Sequence, residues 1–271
     1  MKILSGKTAL ITGAAGGLGR ALAVALAAEG MRLFITDINA EGLEQSRTLI
    51  EGRGSFCRTM VADVSDPEQV ARMCSTAIEQ CGAVDCLINN AGVTTIGEIR
   101  DHELDDWRWL LGINLWGPIQ CVHHILPHMI SRRSGHIVNI ASVGGLAMVA
   151  GNGPYCTSKF GLVGFSEVLR AEVYRHNIKV SIICPGFFNT NLARHARIKN
   201  LPGFTREVIT KKSHGRNPAI AAHKIVQAIK QERKLKIIGL EGHVIYTIKK
   251  YLPPLYYRIG IEMDRRLVKR Q

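Results

Sequence analysis

Tyr155 and Lys159 stand four residues apart in a segment, about residues 154–174, whose pattern predicts a helix. Residues at this spacing share one helical face. A neighbouring ammonium favours the tyrosinate and is expected to bring a phenol pKa of ~10 toward the working pH. Such a tyrosine acts as a base toward an alcohol and as an acid toward a carbonyl. Ser142, just past a predicted strand, adds a hydroxyl for the reacting oxygen, although a Tyr–Lys pair alone is also common on exposed helices.

A glycine-rich turn, TGAAGGLG, covers residues 12–19 between a predicted strand and a predicted helix. Glycine permits positive φ and close backbone approach to a pyrophosphate, and a helix N-terminus attracts the anion. A plain tight turn is the alternative, but its position in a strand–helix–strand unit favours dinucleotide binding. The candidate cofactor-binding residues here are Gly13, Gly16, Gly17, Leu18 and Gly19.

Asp37 ends the second predicted strand, in LFITDIN. Its carboxylate can accept hydrogen bonds from the adenosine ribose and would repel a 2′-phosphate. No Lys or Arg follows it or lies in the glycine turn, so NAD is favoured over NADP. The alternative is that Asp37 caps the next helix.

Short β-rich runs alternate with longer helical patterns along the chain, and each motif follows a strand. This order predicts an α/β fold, a Rossmann-type doubly wound parallel sheet of about seven strands with helices on both faces. Ligands bind such sheets at the carboxyl ends of the strands. We expect one dinucleotide-binding and catalytic domain over residues 1–240 and a C-terminal helical extension over 241–271.

The net charge of +13 is concentrated in one part of the chain. Residues 1–190 hold 16 Lys+Arg and 17 Asp+Glu, whereas residues 191–271 hold 19 and 5. These bases are not interleaved with stacking aromatics or a groove-reading motif, so no nucleic-acid partner is expected.

The chain enters a strand pattern within its first residues and has no apolar run of ~18 residues, so neither a signal peptide nor a membrane span is expected. Seven scattered cysteines without a CxxC pair suit a reducing, cytoplasmic compartment. We expect Cys156 to be a packed thiol rather than a redox group.

We expect no metal site, because Pro127 interrupts the histidine cluster and no acidic or Cys partner completes it; the histidines are His123, His124 and His128.

Five motifs in order, across about residues 5–190, make the sequence resemble the short-chain dehydrogenase/reductase (SDR) family, in its single-domain type. TGAAGGLG matches the family's TGxxxGxG, and residues 89–92 match its NNAG. Ser142 matches the family serine, Tyr155 and Lys159 match YxxxK, and residues 185–190 match its PG motif. The resemblance implies an NAD-dependent oxidoreductase that moves a hydride between an alcohol and a carbonyl, working as a homodimer or homotetramer.

The same resemblance implies individual roles. Tyr155 would be the acid/base, Ser142 would position the substrate oxygen, and Lys159 would also hold the nicotinamide ribose. Asn114, in LLGINLWG, would hold a water in the proton relay. The remaining cofactor contacts implied are Asp63 and Val64 at the adenine, Asn90, Ala91 and Gly92 at the cofactor floor, and Pro185, Gly186, Phe188 and Thr190 near the carboxamide.

Residues 187–215 stand where this family has its substrate lid. Phenylalanines, aliphatics and many bases there suggest a pocket for an apolar body, such as a steroid-, retinoid- or lipid-like secondary alcohol or ketone. The alternative is that the bases only solvate this segment.

Beyond residue 240 the chain departs from the family's common ending and predicts two short helices, divided at Pro253-Pro254. In the second, an apolar stripe opposes a basic one: Leu255, Ile259, Met263 and Leu267 against Arg258, Arg265 and Lys269. Two accounts stay open, packing against a neighbouring subunit and peripheral contact with an anionic membrane.

Two other functions compete with that of an alcohol oxidoreductase. A non-catalytic dinucleotide sensor on the same fold would lose the tyrosine or the lysine, and both are present beside Ser142. A sugar epimerase of the related longer family would carry GxxGxxG and a larger C-terminal domain. An oxidoreductase of the short-chain dehydrogenase/reductase type is therefore expected.

Overall fold

The computed structural model of the protein describes residues 1–186, 192, 196–200 and 217–268. Its strands are β1 (Thr8–Thr12), β2 (Arg32–Asp37), β3 (Cys57–Val61), β4 (Cys86–Asn89), β5 (Thr95–Ile96), β6 (Gly135–Ile140), β7 (Ile178–Pro185), β8 (Arg197–Ile198) and β9 (Leu235–Ile238). Seven of them form a parallel sheet in the order β3-β2-β1-β4-β6-β7-β9. The strand order reverses between β1 and β4, which opens a crevice at their carboxyl ends.

Helices follow the strands in alternation. They are α1 (Gly17–Ala28), α2 (Ala40–Glu51), α3 (Pro67–Cys81), α4 (Leu104–Leu111), α5 (Gly117–Ser131), α6 (Gly153–Val173), α7 (Pro218–Lys230), α8 (Leu240–Tyr251) and α9 (Pro253–Val268). A π-helical turn, Gly112–Trp116, joins α4 to α5. The predicted doubly wound α/β fold is confirmed.

The core lies on both faces of the sheet. Because β1 is covered on both sides, all five of its residues are buried, which explains its unbroken apolar run. Helices α1 and α7 pack on one face, and α3, α5 and α6 on the other. Buried helical side chains on the first face include Leu22, Leu26, Ile225 and Ile229, and those on the second include Met73, Ile125 and Leu169.

Short polar side chains set where several helices begin. Asn39 accepts the Gly42 N–H at the start of α2, and Asp66 accepts the N–H groups of residues 68 and 69 at the start of α3. Pro67 suits the first helical position because its missing N–H has no partner there. These caps start α2 and α3 shortly after β2 and β3 end.

A second, two-stranded sheet brings residues 196–200 back to the main body. Strand β8 pairs with β5, with Thr95 opposite Arg197. The buried carboxylate of Asp106 binds both Arg197 (3.1 Å) and Lys199 (2.9 Å). One part of the predicted lid is thereby fixed beside the loop that follows β4, while most of residues 187–215 lie outside the described residues.

The two C-terminal helices are present as predicted, and α9 packs on α8. Among the side chains of α9 that the structure describes, Tyr256 is buried (4% exposed), whereas Leu255 and Met263 of the predicted stripe are 44% and 49% exposed. The side chains of Leu267 and Lys269 lie outside the described part. In that part, no helix combines the length and the apolar character that crossing a bilayer requires. The boundary at residue 240 stays a prediction.

Asp85 connects the start of β4 to β1 and to the end of α5. Its carboxylate accepts the Thr8 N–H (3.0 Å) and binds Arg132 (2.9 Å) and Lys7 (3.6 Å). Burial raises the pKa of this carboxyl, but the Thr8 N–H and the two cations outweigh burial and hold the pKa below its ordinary value. The stabilisation is therefore complete above the unfolded-state pKa of ~3.9 and is lost as the pH falls through the folded value.

Asp85→Asn is expected to lower the free energy of unfolding at pH 7 by about 1–3 kcal/mol, because the buried charge-assisted bonds are lost. The difference from wild type should shrink as the pH falls below about 4. Urea unfolding at several pH values measures both effects. Asp105→Asn is the control, since the Asp105–Arg108 pair is exposed and should change stability by less than about 0.5 kcal/mol. Equal losses in the two variants would contradict the assignment.

Candidate active site

The glycine turn after β1 touches the turn after β4. Gly13 has φ +69°, and a Cβ there would lie 2.6 Å from Ala91 Cα. Gly17 has φ +53°, and Gly16 before it provides no side-chain cap for α1. Because the first N–H groups of α1 receive no side-chain cap, the turn fits an anion such as a pyrophosphate.

Two side chains lock this turn in place. The Thr12 hydroxyl accepts the N–H groups of Asn90 and Ala91, each at 3.1 Å. In return, the Asn90 amide donates to the carbonyls of Thr12 and Gly13, each at 2.9 Å. Asn90, Ala91 and the glycine turn are thus brought together as predicted. Thr12 was not predicted, although its position directly before Gly13 is a usable signal.

Asp37 lies across from the glycine turn at the end of β2. Its carboxylate accepts the N–H groups of Ala15 (3.0 Å) and Asn39 (3.1 Å). Because Asn39 is the cap of α2, the alternative that Asp37 caps this helix is wrong. The carboxylate is therefore held beside the turn, where an adenosine ribose would lie.

Ser142, Tyr155 and Lys159 come together beyond the end of β6. A Cβ on Gly144 would lie 3.2 Å from Tyr155 Cε1 and 3.5 Å from Ser142 Oγ, so this glycine lies directly between the two side chains. A Cβ on Gly145 would lie 2.6 Å from the Lys159 carbonyl oxygen. The two glycines let the segment after β6 lie flat on α6, which brings the serine to the tyrosine.

The protonation states differ from the expectation drawn from sequence. Lys159 is buried and donates to the Ile140 carbonyl (3.0 Å), with Nζ 5.9 Å from the centre of the Tyr155 ring. Burial raises the pKa of Tyr155 to about 12, and the hydrogen bond with Ser142 opposes this only in part. Burial also lowers the pKa of Lys159 to about 8. The prediction that the neighbouring Lys159 ammonium brings the Tyr155 pKa toward the working pH is contradicted for the chain by itself, because desolvation of the phenolate dominates.

Asn114 is fully buried on the π-helical turn. Its amide oxygen accepts the Val93 N–H (2.8 Å), and its amide nitrogen donates to the Val93 carbonyl (2.9 Å) and to Ser158 Oγ (3.2 Å). A Cβ on Gly92 would lie 3.2 Å from Asn114 Oδ1 and 3.6 Å from Lys159 Nζ. Asn114 is thus next to the lysine, as predicted, and its role with a water stays a prediction.

A buried amide network, missed from the sequence, connects three elements of the site. Asn89 donates to Asn139 on β6 (2.8 Å), Asn139 donates to Ser166 on α6 (2.8 Å), and Ser166 donates to the Leu162 carbonyl (2.6 Å). Buried polar groups require such partners. The usable signal was an asparagine inside the apolar strand HIVNIAS.

The other predicted cofactor contacts are only partly described. The Asp63 carboxylate accepts the N–H and hydroxyl of Ser65, and Val64 is buried against Gly117. Leu18 packs against the core. Pro185 ends β7, and the Gly186 N–H donates to the Ile238 carbonyl (2.8 Å). Phe188 and Thr190 lie outside the described residues.

The described residues contain no group of three or more His, Cys, Asp or Glu side chains able to hold a metal ion. His123 and His124 stack edge to face, with ring centres 5.0 Å apart. All seven cysteines are free; Cys156 is half-buried and the others are buried.

The geometry defines a nucleotide-binding α/β protein with a Ser–Tyr–Lys site at the carboxyl edge of its sheet. A sequence model described as "short chain dehydrogenase" matches residues 7–200. Oxidoreductase UcpA of Escherichia coli K12 is 39% identical over 209 residues, 76% of this chain and 79% of UcpA. Dehydrogenase/reductase SDR family member 7B of Bos taurus is 34% identical over 266 residues, 95% of this chain and 81% of that protein.

Solved structures agree with this likeness. An SDR from Burkholderia phymatum in complex with NAD has a TM-score of 0.86 and 28% identity, covering 94% of this chain and 96% of that one. A metagenomic short-chain oxidoreductase in complex with NADP has a TM-score of 0.72 and 26% identity, covering 87% and 99%. The chain belongs to the short-chain dehydrogenase/reductase family and is an oxidoreductase that uses a nicotinamide cofactor.

Ser142→Ala should raise the pKa of Tyr155 further, because the hydrogen bond with Ser142 lowers it. We expect the pH profile of kcat/KM for alcohol oxidation to move to higher pH, with kcat/KM at least about 10-fold lower. Steady-state kinetics across pH measures both. Ser75→Ala, at an exposed serine on α3, should leave the profile unchanged. A loss of rate without any shift of the profile would contradict the role of Ser142 in setting this pKa.

Proposed function

We propose that the chain is an NAD-dependent alcohol dehydrogenase or carbonyl reductase that acts on hydrophobic secondary alcohols or ketones. The observation that carries this proposal is the meeting of Ser142, Tyr155 and Lys159 beside the glycine turn at one edge of the sheet. A binding module needs the turn alone, whereas a reacting hydroxyl or carbonyl needs the three side chains.

The residues present fit a nicotinamide dinucleotide. The N–H groups of the glycine turn would hold the pyrophosphate, Asp37 the adenosine ribose, and Lys159 the nicotinamide ribose. Asn90, Ala91 and Gly92 would form the floor, with Pro185 and Gly186 at the nicotinamide end. When bound, the cofactor supplies or accepts the hydride.

The chain's own contribution is orientation and proton transfer. Ser142 Oγ accepts the Gly144 N–H (3.0 Å), and the Ser142 hydroxyl also bonds with Tyr155, so a substrate oxygen bound at Tyr155 would lie within reach of both hydroxyls. Tyr155, with its pKa raised to about 12, is protonated at neutral pH, the state that a carbonyl needs from a proton donor. In the oxidative direction the same oxygen must first lose its proton, so this direction is favoured by higher pH.

Asp37 supports NAD over NADP. Both of its carboxylate oxygens are already held by N–H groups, so the charge cannot move away from an approaching 2′-phosphate without losing those bonds. Arg20, the base of α1, donates to Ala15 O, Gly42 O and Gln45. Its guanidinium is therefore already engaged by protein partners.

An apolar substrate is supported by the segment between Ser142 and Tyr155. Residues 143–150, VGGLAMVA, carry no polar side chain. A substrate whose oxygen reaches Ser142 and Tyr155 would therefore meet an apolar surface next to its carbon skeleton. Residues of the predicted lid would add to this surface.

A homodimer or homotetramer in the cytoplasm completes the proposal. Large apolar side chains are exposed on the π-helical turn and on α6, as expected for subunit contacts: Trp116 (58%), Phe160 (39%) and Val168 (60%).

Tyr155→Phe tests the reaction. We expect kcat to fall by about 10²-fold or more, because the proton donor is removed, while NADH binding measured by fluorescence stays within about 3-fold of wild type. Hydrophobic secondary alcohols, retinoids, steroids and short polyols are screened with NAD⁺ by NADH absorbance. Tyr174→Phe, at an exposed tyrosine, is the control. More than a few percent residual turnover would contradict the assignment, and NADH binding without turnover by the wild type would indicate a sensor.

Asp37→Ala tests the cofactor choice. The ratio of kcat/KM with NAD to kcat/KM with NADP should fall by about 10-fold or more, because a repulsive charge is removed. Asp105→Ala, an exposed carboxylate on α4, should leave the ratio unchanged. An unchanged ratio in Asp37→Ala would show that this carboxylate does not meet the ribose.

A further inference from the structure

The C-terminal hairpin, α8 and α9 together, exposes several large apolar side chains within a short stretch of sequence. Six of them within residues 251–263 are 44–67% exposed: Tyr251, Leu252, Leu255, Tyr257, Ile261 and Met263. Tyr257 and Ile261 are four residues apart and so share a face of α9. An apolar group of this size on one surface element marks an interaction site rather than ordinary surface variation.

One side of the hairpin already packs against the segment that follows β6. The Tyr256 hydroxyl accepts the Met148 N–H, and the Lys249 ammonium donates to the Leu146 carbonyl (2.6 Å). Lys249 also lies 4.5 Å from the centre of the Phe160 ring. The hairpin is thus held against the segment between Ser142 and Tyr155 by its Tyr256 and Lys249 side chains.

The charge of the hairpin region is strongly positive. Residues 241–271 hold seven Lys and Arg and three Asp and Glu. Lys250, Arg258 and Arg265 are exposed among the apolar residues, and Lys250 Nζ lies 5.0 Å from the centre of the Tyr251 ring. Exposed tyrosines and aliphatics flanked by bases are the composition of helices that lie in the headgroup region of an anionic bilayer.

We propose that the outer surface of the C-terminal hairpin docks on an anionic lipid surface. A second copy of the chain is a poorer occupant, because an isologous contact would bring the same basic surface against itself. A polyanion without an apolar part would leave the six exposed side chains in water. A bilayer with anionic headgroups satisfies both the charges and the apolar groups.

Docking would also place the catalytic cleft near the bilayer, since the hairpin contacts the segment that joins Ser142 to Tyr155. A lipid-dissolved alcohol or ketone would then reach the site without crossing water. This last step rests on the proposed function, whereas docking itself does not.

Tyr257→Ser/Arg258→Glu tests docking with the full-length protein. The chain offers a matched control, Tyr174→Ser/Arg175→Glu, which makes the same two changes at another exposed Tyr–Arg pair. Each protein is sedimented with vesicles of phosphatidylcholine alone and with vesicles that also contain phosphatidylserine. Melting temperature and NADH binding show that each variant is folded.

We expect wild type and control to bind the anionic vesicles at least about 10-fold more tightly than neutral ones, and added salt to weaken this binding. The hairpin variant should lose about 10-fold or more of that affinity. Absence of vesicle binding by wild type, equal binding to neutral vesicles, or equal loss in the two variants would overturn the proposal. So would a hairpin variant that changes only the oligomeric state in size-exclusion chromatography, because that outcome assigns the surface to a contact between copies. These readouts need no turnover, so failure of docking and failure of the proposed reaction are separate results.

Discussion

The site depends on a backbone contact at the point where the strand order reverses. Strands β1 and β4 are neighbours, and at their carboxyl ends Gly13 lies so close to Ala91 that a Cβ would come within 2.6 Å of its Cα. Thr12 and Asn90 bond across this contact and hold it. Any larger residue at position 13 would separate the glycine turn from the turn after β4. The alignment of β1 with β4 therefore sets how these two turns meet.

Burial governs the chemistry of the other half of the site. Exclusion of water raises the pKa of Tyr155 and lowers that of Lys159. Burial therefore stabilises the neutral form of each side chain relative to its charged form. The lysine is held by a backbone carbonyl, Ile140 O, and this bond orients it without neutralising its charge. Charges on a bound cofactor or substrate would therefore change the protonation of Tyr155 and Lys159. The protonation of these two groups depends on the complex as well as on the chain.

Local patterns predicted the fold and much of the site, since strand periodicity and residue spacing are short-range signals. The Tyr155–Lys159 pair and the glycine turn belong to this class. Local patterns do not specify the partners of contacts between distant residues: Asn89 meets Asn139 fifty residues away, and Asp106 meets Arg197 ninety-one residues away. The Tyr155 pKa could not be predicted from local patterns for the same reason, because the burial that raises it depends on the whole fold.

The amphipathic pattern of α9 was read correctly as a helix, but the pattern does not determine which way the helix faces. Leu255 and Met263 suggested a stripe, yet Tyr256 is the residue that turns inward, because its hydroxyl finds the Met148 N–H. A hydrogen bond to an unpaired backbone group outweighs a small difference in apolar area. The choice could not be predicted without knowing that the segment after β6 passes beneath the hairpin.

Two glycines then explain how tightly the hairpin is seated. A Cβ on Gly242 would lie 2.5 Å from Val143 Cγ2, and one on Gly260 would collide with the Met148 side chain. On the opposite side of the same segment, Gly144 and Gly145 lie flat against α6. The segment is therefore held between two helical layers at close distance, with Ser142 at one end and Tyr155 just beyond the other. Because the segment contacts both layers, the hairpin is one of the elements that position the residues between Ser142 and Tyr155.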